Sequence, residues 1–168
     1  VDARTPIDAA PPPPPVDAGT SEPPPTPASG NLVVDLQPHG ARVFLDGKEV
    51  GKSPVTVPAT AGRRDLAAIM PGYRLYTATI DGRGKHTATL GEAPSWGGAG
   101  GIKVRCTTKR RYYVLVDGKD TGQLCPTERI GLKVGNHTVE IYDPITRTRK
   151  TFPADVTDTG HSLKVDVE

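Results

Sequence analysis

Val43 to Gly51 reads VFLDGKEVG, and about seventy residues later Val114 to Gly122 reads VLVDGKDTG. In both, alternating apolar residues run into an Asp-Gly pair and the chain turns back through a Lys towards a second Gly. Asp-Gly between alternating apolar runs is the strongest short-range hairpin signal, because both central residues of a type I′ turn need φ > 0. The same hairpin twice, in stretches of similar length, is the mark of a duplication.

Composition divides the 168-residue chain around these two hairpins. Residues 1–31 hold ten of the eighteen prolines, four acids and Arg4 as the one base. Residues 32–92 carry eight basic and six acidic residues, and residues 93–168 carry twelve and nine. The net charge of +2 is a mild basic bias. Nucleic-acid binding calls for a clustered basic face, and few aromatics are present for base stacking, so the sequence argues against a nucleic-acid partner. No run of eighteen apolar residues occurs, so no helical membrane span is expected within this chain. The absence of an initiator Met and of a leader pattern at Val1 suggests a piece of a larger protein.

Residues 1–30, with Pro11 to Pro15 and Pro23 to Pro25, read as a disordered linker of polyproline II character, or as a ligand for a proline-reading domain. From Leu32 the apolar period is two. Leu32, Val34 and Leu36 share a face, as do Ala41, Val43 and Leu45, then Val55 and Val57, Leu66 and Ala68, Tyr76, Ala78 and Ile80, and Ala88 and Leu90. Pro71-Gly72 suits the centre of a type II turn. Residues 92–100 read as a Gly-rich linker, and Trp96 within it as a peg between the copies or an exposed contact residue. The second set runs from Ile102, Val104 and Cys106 through Tyr112, Val114 and Val116, Val139 and Ile141, Phe152, Ala154 and Val156, to Leu163, Val165 and Val167. The pattern predicts an all-β chain of two small tandem β-sandwich domains, 31–91 and 101–168, with six or seven strands each.

The first copy carries Pro38-His39-Gly40-Ala41, then the Asp46-Gly47 turn, Ser53-Pro54, Gly62 and Pro71-Gly72-Tyr73. In that order these residues resemble the PEGA domain, with His at the second position of the motif that names the family. The second copy is a degenerate likeness that keeps the Asp117-Gly118 turn, Gly122 and Pro126, while TKRR (Thr108 to Arg111) replaces the motif and Asp143-Pro144-Ile145 replaces Pro-Gly-Tyr. The resemblance implies a small all-β module of bacterial surface or periplasmic proteins, including the extracytoplasmic parts of membrane-anchored Ser/Thr kinases. It implies no catalytic residues and no cofactor.

Cys106 and Cys125 both lie in the second copy. In a sandwich the end of the first strand and the segment after the hairpin are neighbours, so a disulfide is expected, with free thiols as the alternative. A metal pair lacks nearby ligands, since His137 and His161 stand apart and no CxxC is present. His39, His86, His137 and His161 have no metal spacing, and Ser53, Ser95 and Ser162 lack the context of a nucleophile. Asp46 and Asp117 read as turn residues rather than paired carboxylates. Lys109, Arg110 and Arg111, with Arg147, Arg149 and Lys150, offer a basic surface for an anionic cell-envelope polymer or an acidic protein. Their alternative role is charge that protects strand edges, with Arg147 and Arg149 on one strand face. The reading is a non-catalytic binding or spacer module of a bacterial envelope protein, periplasmic or extracellular, such as a kinase sensor region. The alternative is a structural subunit or accessory domain of an envelope assembly.

Overall fold

The computed structural model describes residues 30–107, 110–158 and 161–165. The Pro-rich segment lies outside the described residues except for Gly30, as do Thr108, Lys109 and Val167. Among the described residues the chain is all strand and turn. The first copy contains β1 (Asn31–Gln37), β2 (Arg42–Leu45), β3 (Lys48–Lys52), β4 (Val55–Pro58), β5 (Arg63–Ile69), β6 (Tyr76–Asp81) and β7 (Gly84–Thr89). The second contains β8 (Gly100–Cys106), β9 (Tyr113–Val116), β10 (Lys119–Leu124), β11 (Ile130–Leu132), β12 (Gly135–Asp143), β13 (Thr148–Val156) and β14 (His161–Val165).

The two copies share one topology. Sheets ordered β4-β1-β7 and β3-β2-β5-β6 recur as β11-β8-β14 and β10-β9-β12-β13. The parallel pairing of β1 with β7 recurs between β8 and β14, and every other pairing is antiparallel. Alternation explains the cores. Leu32, Val34 and Leu36 meet Val43, Leu45, Leu66 and Ala68 between the sheets of the first copy. Ile102 and Val104 meet Val114, Val116, Val139 and Ile141 in the second.

Both hairpin turns adopt the positive φ that Asp-Gly was expected to supply: 50° and 79° at Asp46 and Gly47, 51° and 71° at Asp117 and Gly118. The turn carboxylates also tie the third strand of each sheet. Asp46 Oδ1 accepts the Asp65 N–H at 2.9 Å and Oδ2 accepts from Arg64 Nε at 2.7 Å. Asp117 does the same with the Thr138 N–H at 2.9 Å and with His137 Nδ1 at 2.7 Å. Pro71-Gly72 forms the expected type II turn, with Gly72 at φ 84° and Tyr73 N–H donating to Met70 O at 3.1 Å.

The hairpins diverge after the turn. Gly51 stands opposite Val43, whereas Gly122 falls in a bulge between Asp120 and Gln123, which pair with Leu115 and Val114. The second hairpin is one residue longer, so the two glycines that look equivalent in sequence occupy different registers.

The segment after each hairpin is fastened to the first strand, by different chemistry. In the first copy buried Ser53 Oγ accepts from Leu36 N–H at 2.5 Å and donates to Leu36 O at 3.0 Å. In the second, Cys125 forms a disulfide with Cys106, Cα atoms 5.9 Å apart, and Thr127 Oγ1 accepts from Val104 N–H at 2.8 Å. The expected disulfide is present, and the first strand does lie beside the segment that follows the hairpin. Ser53→Ala leaves the buried Leu36 N–H without a partner and is expected to cost ~1–3 kcal/mol in urea unfolding. Cys106→Ala with Cys125→Ala is expected to cost ~2–4 kcal/mol through the reopened loop.

Candidate functional site

The largest feature outside the two cores is a seam between the copies. The outer face of β2 and β5 carries Phe44, Ala67 and Ile69, and that of β9, β10 and β12 carries Tyr113, Leu115, Leu124 and Tyr142. These seven side chains are buried against one another, with Leu75 half-buried beside them. Phe44 and Leu115 are topological equivalents, as are Ile69 and Tyr142, whereas Tyr113 and Leu124 stand where the first copy has Arg42 and Lys52.

Hydrogen bonds fix the seam's orientation. Tyr113, fully buried, donates its hydroxyl to Tyr73 O at 2.7 Å and accepts the Gly122 N–H at 3.1 Å. Burial, and then the nearby Asp120 carboxylate, hold the Tyr113 phenol above its ordinary pKa, so it stays neutral. Gly72 N–H donates to Gly122 O at 2.7 Å, and Leu75 N–H donates to Asp120 Oδ1 at 2.9 Å. Gly122 is required here. It has φ 68°, and a Cβ on it would come 2.6 Å from the Ala93 Cβ and 3.2 Å from Gly72. At the seam's margin Arg147 pairs with Asp65 of the first copy.

Two clefts flank the seam. One, of about 390 Å³, is bounded by Phe44, Asp65, Thr77, Thr79, Tyr142 and Arg147. The other, of about 230 Å³, is bounded by Arg42, Glu49, Arg110, Arg111, Asp143 and Ile145.

The six basic residues singled out in the sequence are distributed around this region. Lys109 lies outside the described residues. Arg110 faces Asp143 at 3.8 Å, and Arg149 pairs with Glu140 at 3.3 Å and lies 5.9 Å from the Tyr142 ring. Arg147 does not share a strand face with Arg149. It closes the β12–β13 turn at φ 59°, and β13 begins only at Thr148. Lys150 is exposed, and Arg111 is exposed with no ion pair among the described residues. Trp96 is half-buried on the second core and donates Nε1–H to Asp120 O at 3.1 Å. It caps one copy instead of bridging two, because the seam is filled by Tyr113 and Tyr142.

Among the described residues no three His, Cys, Asp or Glu side chains stand together as metal ligands. His39 bonds Asp35 and Gln37 at its turn, and His86 bonds the Tyr76 hydroxyl at 3.0 Å. His137 is the informative one. Its Nδ1 faces Asp117 and its Nε2 faces the Lys133 carbonyl at 2.9 Å, two acceptors that both ring nitrogens satisfy only as the imidazolium. The Asp117 hydrogen bond, opposed by burial, raises the His137 pKa. At Asp117 burial alone acts upward, and the bonds from His137 and Thr138 outweigh it and hold the carboxylate below its usual range.

Reading by period two missed the seam. Its signal was in the sequence: Tyr113 and Leu115 interrupt the alternation of Tyr112, Val114 and Val116, and Phe44 sits between Val43 and Leu45. Continuous apolar runs mark strands buried on both faces.

Residues 29–91 match the family model of the PEGA domain, which spans the first copy and ends before the second. No curated protein and no solved structure matches the chain. A PEGA domain is a non-catalytic module, consistent with an extracellular or periplasmic location, as is the disulfide.

Tyr113→Phe keeps the ring and removes the hydroxyl bond to Tyr73 O across the seam, along with the bond from Gly122 N–H within the second copy. Calorimetry is expected to show ~1–3 kcal/mol lost, with one transition splitting towards two because both cores stay intact. The Asp117–His137 pair sets a pH window. His137, raised in the fold, contributes fully below about pH 6.5 and loses its contribution as pH climbs through the raised value. Asp117, lowered in the fold, contributes above about pH 4 and loses it as pH falls through the lowered value. The wild-type melting temperature should therefore drop more between pH 6 and 8.5 than that of His137→Gln, about equal drops counting against the pair.

Proposed function

We propose that residues 31–168 form a paired, non-catalytic module in the extracytoplasmic part of a larger bacterial envelope protein, the second copy being a diverged PEGA domain. In this reading the pair is a rigid spacer that holds a binding surface at a set distance and angle, as a receptor Ser/Thr kinase needs in its sensor region. The seam is the observation that carries it. Two domains joined only by a Gly-rich linker have no use for a buried tyrosine with both hydroxyl contacts made, or for a glycine fitted under a neighbouring turn. The Cys106–Cys125 bond supports the extracytoplasmic reading, since such bonds persist in oxidising compartments.

Thiol trapping in the native cell, followed by distance measurement between spin labels, tests both halves. Labels at Lys52 and Glu128, one on each copy, should give a single narrow distance distribution, and the cysteines of protein trapped before lysis should take up no alkylating reagent without reductant. A broad distribution would remove the spacer, and two alkylated thiols would remove the compartment.

A further inference from the structure

Among the described residues β6 is an edge strand with β5 as its one ladder partner. The phase of its hydrogen bonds follows from its neighbours. Asp65 turns its N–H and C=O towards the β2 side, where they meet the Asp46 carboxylate and the Asp46 N–H. In an antiparallel ladder the direction alternates, so Arg64, Leu66 and Ala68 bond to Ile80, Ala78 and Tyr76. The Gly82 N–H bond to Gly62 O continues that phase. Thr77, Thr79 and Asp81 therefore aim their N–H and C=O groups away from the sheet, and all three residues are exposed.

The equivalent edge of the second copy is closed. Thr138 turns towards Asp117, so β13 directs Arg149, Thr151, Pro153 and Asp155 outward. Pro153 is the counterpart of Thr79 through the pairs Leu66–Ala78 and Val139–Phe152, and it has no N–H to offer. Proline at an outward position is a standard guard against strand addition. The β10 edge is covered by the Gly72 and Leu75 contacts. β6 has no proline, lysine or arginine along its length.

Each end of the open edge adjoins a cleft. The seam cleft borders Thr77 and Thr79. A second cleft, of about 360 Å³, borders Thr79 to Asp81 and is lined by Arg63, Arg83, Lys85 and His86. Lys85 is held by Asp35 at 3.0 Å and His86 by Tyr76, but Arg63 and Arg83 have no ion pair among the described residues. Arg63 lies opposite Asp81 in the ladder, and among the described residues Asp81 is the one carboxylate lining this cleft.

We propose that the β6 edge captures an extended peptide segment of a partner protein as an added antiparallel strand, with acidic residues at that segment's N-terminal end seated against Arg63 and Arg83. The added strand pairs with the outward groups of Thr77, Thr79 and Asp81 and extends the β3-β2-β5-β6 sheet to five strands. An antiparallel partner begins beside Asp81, which places its first residues at the arginines and gives the site a direction as well as a charge. This proposal builds on the reading of the chain as a binding module, and its failure leaves the fixed spacing of the two copies untouched.

The probe is an acetylated peptide of two glutamates followed by six alternating threonines and valines. Two controls carry two lysines in place of the glutamates, or N-methyl groups on alternate backbone nitrogens. Binding is read by fluorescence anisotropy, and amide exchange of Thr77, Thr79 and Asp81 by NMR. The expected result is slowed exchange at those three amides, with affinity lower by about tenfold or more for each control and for Thr79→Pro. Arg63→Glu with Arg83→Glu should erase the preference for glutamate over lysine. Should Thr79→Pro unfold, the N-methylated peptide tests the same hydrogen bonds on the unaltered protein. Equal binding of all the peptides, binding of none, or no change at the three amides overturns the proposal. Protection in the free protein that grows with its concentration would assign the edge to a second copy. Protection lost on removing residues 1–29 would assign it to the chain's own N-terminal segment. Either result overturns an added foreign strand.

Discussion

The structure depends on burying both faces of its two four-stranded sheets. In a sandwich this small one face of each sheet packs on the core and the other meets water. Here the outer faces of β2-β5 and β9-β12 are apolar as well, and every residue of β9 from Tyr113 to Val116 is buried. Neither copy can be separated without exposing Phe44, Ile69, Leu115 and Tyr142 together. A domain of about sixty residues buries only ~60% of its unfolded surface, so the shared layer supplies what each small core lacks. The linker keeps the copies close, and the seam fixes how they meet.

Within each copy the register rests on the turn aspartates. The Asp-Gly signal was plain in the sequence because it is a statement about local φ. That Asp46 and Asp117 also reach across to the third strand was not, because the residues they bind lie 19 and 21 positions further on. The same distinction separates the other readings. Strand positions, the Pro71-Gly72 turn and the cysteine pair were legible, since alternation, turn chemistry and sandwich neighbourhood are short-range or topological rules. The partners of Arg110, Arg147 and Arg149 were not. Arg147 finds Asp65 82 positions away, and nothing local to TRTRK indicates it.

The seam itself was half legible. Tyr112 to Val116 is an unbroken apolar run, and the rule for such runs is burial on both faces. The period-two template assigned Tyr112, Val114 and Val116 to the core and left Tyr113 and Leu115 without a role. What no single strand discloses is the partner that covers its second face, because that depends on how two sheets from distant parts of the chain approach one another.

This also changes how the second copy's departures from the first are to be understood. Measured against motif residues it has decayed. Measured against the seam, its changes are placed where the first copy docks. Tyr113 stands where Arg42 stands in the first copy, and its ring and hydroxyl fill the interface that a guanidinium would have to leave hydrated. The extra residue of the second hairpin sets Gly122 beneath Gly72, and Asp120 receives Leu75 N–H. Phe44 with Leu115 and Ile69 with Tyr142 are equivalent positions, but Tyr113 and Leu124 stand where the first copy has Arg42 and Lys52, so the seam is built asymmetrically. The asymmetric substitutions fall in the seam, and on the edge where Pro153 shuts in one copy what Thr79 leaves open in the other.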